Sequence, residues 1–227
     1  MLESRWILWD RFVLGHGGRA IIESLGPVVP SVLEIAYALV CALPPFALAA
    51  LYLYGQREKA DRFLTVVLFS VLLCYAQFPF WPSEPPRVVF AGLDLPSYGT
   101  IFRRFNLWIL GNYGIHTSVF PSAHVAGALS TAFGFRLAMP AGKPIYRSLF
   151  AIAVLIAIAT VYGRYHYLAD AICGAVIACI VLVLAPAPCS DASVSAAEST
   201  LGAVAGTETT TPSVYSTFVA GERNRQV

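Results

Sequence analysis

Charge is what this chain has least of. Only 12% of its 227 residues are charged, against roughly 25% in a soluble domain, and the mean hydropathy is +0.67. That balance argues against an ordinary water-soluble domain and predicts an integral membrane protein. The net charge of +2 is too weak to argue for a nucleic-acid partner. Cysteine is sparse and badly spaced for chemistry. Cys41, Cys74, Cys173, Cys179 and Cys189 form no CxxC pair and show no metal-ligand spacing. The first four lie in apolar runs and read as small buried residues rather than disulfides or ligands. No acidic cluster is present, so no metal and no other cofactor is expected. Residues 1–30 also lack the continuous apolar core of a signal peptide and carry Glu3, Asp10 and Glu23. The sequence shows no internal repeat.

What is present is a series of apolar runs. Trp6, Ile7, Trp9, Phe12, Val13 and Leu14 intersperse with Arg5, Asp10 and Arg11, which predicts an amphipathic interfacial N-terminus over residues 1–30. Gly15-His16-Gly17-Gly18 should break it, with His16 in a solvated loop. Residues 31–54, 63–81, 117–139, 145–162 and 166–184 are expected to span the membrane, each being long enough for most of a hydrocarbon core of roughly 30 Å. Pro44-Pro45 should kink the first. Residues 82–116 form a long connection. It opens on Pro82-Ser83-Glu84-Pro85-Pro86-Arg87, a stiff stretch that would hold Arg87 in place. It continues with Arg103 and Arg104 among Phe102, Phe105, Leu107 and Trp108, which suits a short interfacial helix. Residues 187–227, rich in Ser, Thr, Ala and Gly, read as a disordered tail. The expected fold is therefore an all-α polytopic transmembrane bundle. It has about five spans plus an N-terminal interfacial helix (six if that segment crosses), with residues 31–186 as the catalytic domain.

The ionisable residues gather at two helix mouths. His166 and Asp170 are four apart, close enough to touch on one helical face. A carboxylate beside an imidazole fixes its tautomer and favours its protonated form. Arg164 precedes them and Arg87 lies at the end of the second run. Ser122 and His124 open the third. By span parity all of them fall on one side of the membrane. Such a set suits a phosphate ester. His166 would attack phosphorus and form a phosphohistidine, with Asp170 holding its ring. His124 would protonate the leaving oxygen and then serve as base. Arg87 and Arg164 would neutralise the non-bridging oxygens, and Ser122 and the free amides of the third helix would donate to them. Taken singly, each residue also has a plainer reading. His124 could be a capped or solvated helix-end residue, Arg164 and Arg87 positive flanks of a span, and His166–Asp170 a structural pair or a proton relay. His116 reads as a loop residue outside the chemistry, and Tyr162, Tyr165 and Tyr167 as interfacial packing.

These residues resemble the type 2 phosphatidic acid phosphatase superfamily, whose three signatures are K-x6-R-P, P-S-G-H and S-R-x5-H-x3-D. Pro121-Ser122-Ala123-His124 matches the second with Ala for Gly. His166 and Asp170 match the end of the third, and Arg87 stands for the first. The likeness covers about residues 60–185 and is greatest to the branch with inositol phosphorylceramide synthases and their bacterial relatives. The departures are specific. The Lys of the first signature falls at Phe80, its Arg-Pro is Arg87-Val88, and the Ser-Arg of the third falls at Ala159-Thr160. The resemblance implies a helical bundle, a phosphohistidine on His166 and an acid/base role for His124. Arg164 is the candidate replacement for the missing arginine.

The leading expectation is thus a metal-independent membrane phosphatase or phosphotransferase acting on a lipid or prenyl phosphate, among membrane lipids. Water or an alcohol as second acceptor separates hydrolase from headgroup transferase, and the motifs do not choose. A proton-coupled transporter and a non-catalytic scaffold are the competing classes. Arg57, Lys59, Arg62, Arg136, Lys143 and Arg147 lie on the face opposite the site. The positive-inside rule makes that face cytoplasmic and turns the site outward in a cell membrane, whereas Arg5, Arg11 and Arg19 pull the other way.

Overall fold

A computed structural model describes residues 3–114, 117 and 119–185, and they are helical without a strand. His116, Cys189 and the expected tail lie outside the described residues. The N-terminal segment begins with α1 (Glu3–Val13) and α2 (Arg19–Glu23). The glycine stretch between them kinks as expected: Gly17 has φ +105°, a left-handed value that costs a residue without Cβ little. The first apolar run forms two helices, α3 (Val28–Ala38) and α4 (Leu43–Leu53). Pro44 and Pro45 sit in the first turn of α4, where the missing N–H groups would have no intrahelical partner. The chain therefore breaks just before them.

The remaining runs carry α5 (Ala60–Tyr75), α8 (Ala123–Ala138), α9 (Lys143–Tyr162) and α10 (Leu168–Leu184). The long connection holds the one-turn α6 (Pro86–Val89) and α7 (Ile101–Tyr113). Among the described residues only α9 is by itself long and apolar enough to cross a membrane. The segment Glu3–Glu23 with Val28–Ala38, bent by 106°, passes the same test as a pair. Helices α5, α8 and α10 have 16, 16 and 17 residues, shorter than the runs that contain them.

Helix α8 is the hub, packed against α4, α5, α9 and α10. Ala126, Ala128, Ala132 and Ala138 on it are fully buried, and such small side chains let helix backbones approach closely. The tightest approach is from α10: a Cβ on Gly174 would collide with the Ser122 carbonyl oxygen. That contact seats the start of α10 against the start of α8, where the chemistry-bearing residues lie. The chain up to Ala185 forms one compact unit that includes the N-terminal segment.

Helix α7 is turned inside out. Arg103 and Asn106 are buried, whereas Ile101, Phe105 and Trp108 are exposed. Arg103 and Asn106 face the protein while most of the apolar residues face away, the reverse of an amphipathic helix packed on a water-soluble core. Of the cysteines, Cys41, Cys74, Cys173 and Cys179 are all unpaired. Cys74 is buried and Cys41 and Cys179 are exposed.

Candidate active site

Two helix ends and one loop build the site. Helix α9 terminates in a Schellman motif: the Tyr165 amide donates to the Thr160 carbonyl at 2.9 Å and the Arg164 amide to the Val161 carbonyl at 3.1 Å. The residue past the C-cap is Arg164, left-handed at φ 62°. Helix α10 starts three residues later, with Tyr167 as its N-cap. The Asp170 carboxylate, in the first turn, accepts from the Tyr167 amide at 3.0 Å, so it also faces the positive end of the helix.

His166 thus lies ahead of α10, not on it. Its ring folds back over the helix mouth, and Nδ1 comes within 3.4 Å of Asp170 Oδ2. The expected pair forms, through a capping turn instead of a shared helical face. His166 Nε2 is 3.1 Å from Nδ1 of His124, at the second position of α8. With Asp170 ionised, the chain of contacts assigns the tautomers. His166 Nδ1–H donates to the carboxylate, which leaves Nε2 with a lone pair. Only His124 Nδ1–H can then donate to it. His166 is 5% exposed and Asp170 0%.

Arg87 comes from the loop. Pro85 is extended and Pro86 opens α6. The Arg87 amide donates to the Arg164 carbonyl at 3.3 Å and its Nη1 to the Tyr165 carbonyl at 3.4 Å. The guanidinium carbon lies 5.9 Å from the Tyr165 ring centroid, within cation–π range. Burial and the nearby Arg103 guanidinium pull its pKa below the ordinary arginine value, but a guanidinium stays charged in proteins. Arg87, His124 and His166 open together on a cavity of about 340 Å³, with Tyr37, Tyr75, Phe78, Tyr113 and Tyr165 among its walls.

Two expected members are elsewhere. Ser122 is fully buried as the N-cap of α8, accepting from the Val125 amide at 3.4 Å, and is not on the cavity wall. Helix α8 brings Ala123 and His124 to the cavity instead, and helix geometry leaves the amides of its first two residues without intrahelical partners. Arg164 is also fully buried and off the cavity wall. Its Nη1 donates to Asp10 Oδ2 at 2.5 Å, and Asp10 Oδ1 accepts from the Leu168 amide at 2.8 Å. A local reason lies in the turn: the left-handed backbone at Arg164 belongs to the helix stop. The expected phosphate-binding fork is closed on a carboxylate from α1.

Two carboxylates therefore matter that sequence reasoning missed. Asp10 looked like the polar side of an interfacial helix. Glu34 is buried on α3 and takes part in a network with Arg103, Asn106 and Tyr165. A signal for it existed, because Glu34 is the only charge in residues 31–54, and a lone carboxylate in an apolar run calls for a partner. No group of three or more His, Cys, Asp or Glu residues able to hold a metal occurs among the described residues.

No curated protein matches the chain. The crystal structure of Aquifex aeolicus LpxE superposes with a TM-score of 0.53 over 74% of this chain and 90% of that one, at 20% identity, a likeness of fold. The sequence pattern of the PAP2 superfamily matches residues 19–184, which takes in both histidines, Asp170 and Arg87. The chain belongs to the PAP2 superfamily.

Proposed function

We propose that this protein is a membrane phosphatase or phosphotransferase acting on the phosphate ester of a lipid or prenyl alcohol. The observation that carries the reading is the unbroken line Asp170–His166–His124 opening on a cavity with one guanidinium, Arg87. A phosphate ester bound there puts its non-bridging oxygens against Arg87 and the first amides of α8. Its arrival breaks the contact between the histidines. His166 Nε2 attacks phosphorus with its free lone pair, and the ester P–O bond breaks. The leaving oxygen takes the proton of His124 Nδ1. The product is a phosphohistidine on His166, whose positive ring Asp170 stabilises. In the second half His124 accepts a proton from water or an alcohol, whose oxygen attacks phosphorus. The P–N bond breaks and its electron pair returns to Nε2. The aromatic walls suit the apolar stem next to the phosphate.

Arg164 and Ser122 have no direct part in this scheme. Arg164 holds the turn through Asp10, and Ser122 caps α8.

The test is phosphate release by purified protein in mixed micelles of phosphatidic acid, lysophosphatidic acid or prenyl diphosphate. Wild type is run beside His166→Ala and Asp170→Asn, with phosphate transfer to added alcohols followed in parallel. The expectation is turnover of at least one ester, a loss of about 10³-fold or more in His166→Ala, and a smaller loss in Asp170→Asn, as for other orienting carboxylates. Turnover that survives His166→Ala ends the phosphohistidine scheme. Unchanged kinetics in Asp170→Asn would make that carboxylate a helix cap and nothing more.

A further inference from the structure

We propose that Glu34 is a positioning residue for phosphate binding, acting through Tyr165 on Arg87 and His124. The inference rests on reading the histidine pair as the phosphoryl-transfer site. Glu34 is 2% exposed and holds three donors with its carboxylate: Arg103 Nη1 at 3.0 Å on one oxygen, and Asn106 Nδ2 at 2.7 Å and the Tyr165 hydroxyl at 2.6 Å on the other. Its backbone carbonyl accepts from Asn106 again at 2.9 Å. Arg103 also donates to the Gly163 carbonyl at 3.2 Å. One carboxylate thereby ties α3, α7 and the turn before α10 together. None of the three, Glu34, Arg103 or Asn106, lines the cavity.

The path to the site is short. Tyr165 precedes His166 in the chain, and its carbonyl takes the Arg87 Nη1 hydrogen bond. Its ring stacks on Tyr37 with centroids 4.0 Å apart, and Tyr37 stacks on the His124 ring at 5.6 Å. Fixing the Tyr165 hydroxyl therefore fixes one end of a three-ring stack that ends on His124, as well as the carbonyl that aims Arg87. Charge adds a second effect. Glu34 neutralises Arg103, whose guanidinium carbon lies 5.8 Å from the same Tyr165 ring that Arg87 approaches to 5.9 Å. Without the carboxylate, two uncompensated cations near one ring would repel in a low-dielectric interior, and Arg87 is the one of the two that borders the cavity.

A substrate-independent probe separates this from a merely structural role. Orthovanadate, a phosphate analogue that accepts a fifth ligand, is titrated calorimetrically into detergent-solubilised wild type, His166→Ala, Glu34→Gln, Tyr165→Phe and the double variant Glu34→Gln/Tyr165→Phe. Thermal unfolding is recorded for each. Phe135→Leu, a core variant on α8 outside the network, gives a destabilised reference. The expected result is vanadate binding by wild type and none by His166→Ala. Affinity should fall by about tenfold in Glu34→Gln, as when other outer supports of a site are removed. Tyr165→Phe should lose less, and the double variant no more than Glu34→Gln alone, because the two act in one path. Phe135→Leu should lower the melting temperature with affinity intact. If His166→Ala binds as wild type does, or wild type does not bind, the reading of the histidine site falls and this one with it. If wild type binds through His166 and Glu34→Gln binds equally well, the positioning role alone is overturned. The same follows if the two single losses add in the double variant.

Discussion

Two buried guanidinium–carboxylate pairs grip the turn before α10, and they are built differently. Arg103–Glu34 is closed: the carboxylate carries three hydrogen bonds, two from α7 and one from the turn before α10. Arg164–Asp10 is open. Asp10 accepts from Arg164 and from the Leu168 amide, yet Nε and Nη2 of Arg164 are buried without a hydrogen-bond partner among the described residues. Taking charges out of water costs several kcal/mol per ion, and the attraction between them offsets it only where further hydrogen bonds satisfy the remaining donors and acceptors. A closed network can hold geometry to a fraction of an ångström. An open pair mainly keeps a charge from being stranded. The active site leans on both: Glu34 reaches it through Tyr165, and Asp10 through the first amide of α10.

The largest effect on this contrast is expected from Asp10→Ala, which leaves Arg164 buried with no counter-charge. Unfolding stability should fall by about 3–5 kcal/mol, read as an early thermal transition in detergent. The double variant Asp10→Leu/Arg164→Met removes both charges and the orphaned donors with them. It should regain most of that stability, since apolar residues often replace a buried pair at little cost. Its kinetics then decide what Arg164 does. Turnover within about tenfold of wild type agrees with a guanidinium that only holds the turn. A stable but inactive double variant would return Arg164 to the phosphate. By contrast Glu34→Gln keeps the shape of the closed network while turning one accepting oxygen into a donor, and should cost less stability than Asp10→Ala, about 1–3 kcal/mol, so the two pairs would exchange rank if their closure were unimportant.

How much of this was legible in the sequence follows from the range of each interaction. Helices at all five apolar runs and the glycine kink are local matters of periodicity and backbone, and they were readable; Pro44-Pro45 marks a kink in the sequence, where the chain ends one helix and starts another. The His166–Asp170 pair was readable because four residues separate its members, although the turn that joins them was not foreseen. His124 and Arg87 were readable from their places at the ends of apolar runs. The span count was not, because apolar runs continue past the helix ends into loops, as at α5 and α8. Asp10 and Glu34 find partners 154 and 69 residues away, and no spacing rule carries that information. Asp10 on α1 and Arg103 and Asn106 on α7 pack inward, whereas Arg5, Arg11 and Arg104 on the same helices stay exposed, and amphipathic spacing alone does not tell the two sets apart.

The smallest effect calibrates the other two. Ser122 makes one neutral hydrogen bond to the first turn of α8, with no charge at stake. Ser122→Ala should therefore cost about 1 kcal/mol, the usual loss of a helix cap, or a fall of roughly 2–4 °C in melting temperature for a chain of this size. Because the hydroxyl is buried at the cap and off the cavity wall, KM for a phosphate ester should not change. The amides of Ala123 and His124 remain in place to meet the phosphate, since capping uses the amide of Val125 and not theirs. A rise in KM with an unchanged melting temperature would mean that the hydroxyl turns into the cavity when substrate binds. It would also mean that α8 contributes a side chain as well as a helix end to anion recognition. A fall in melting temperature alone fixes the worth of one neutral buried bond, against which the losses at Asp10 and Glu34 measure what charge adds.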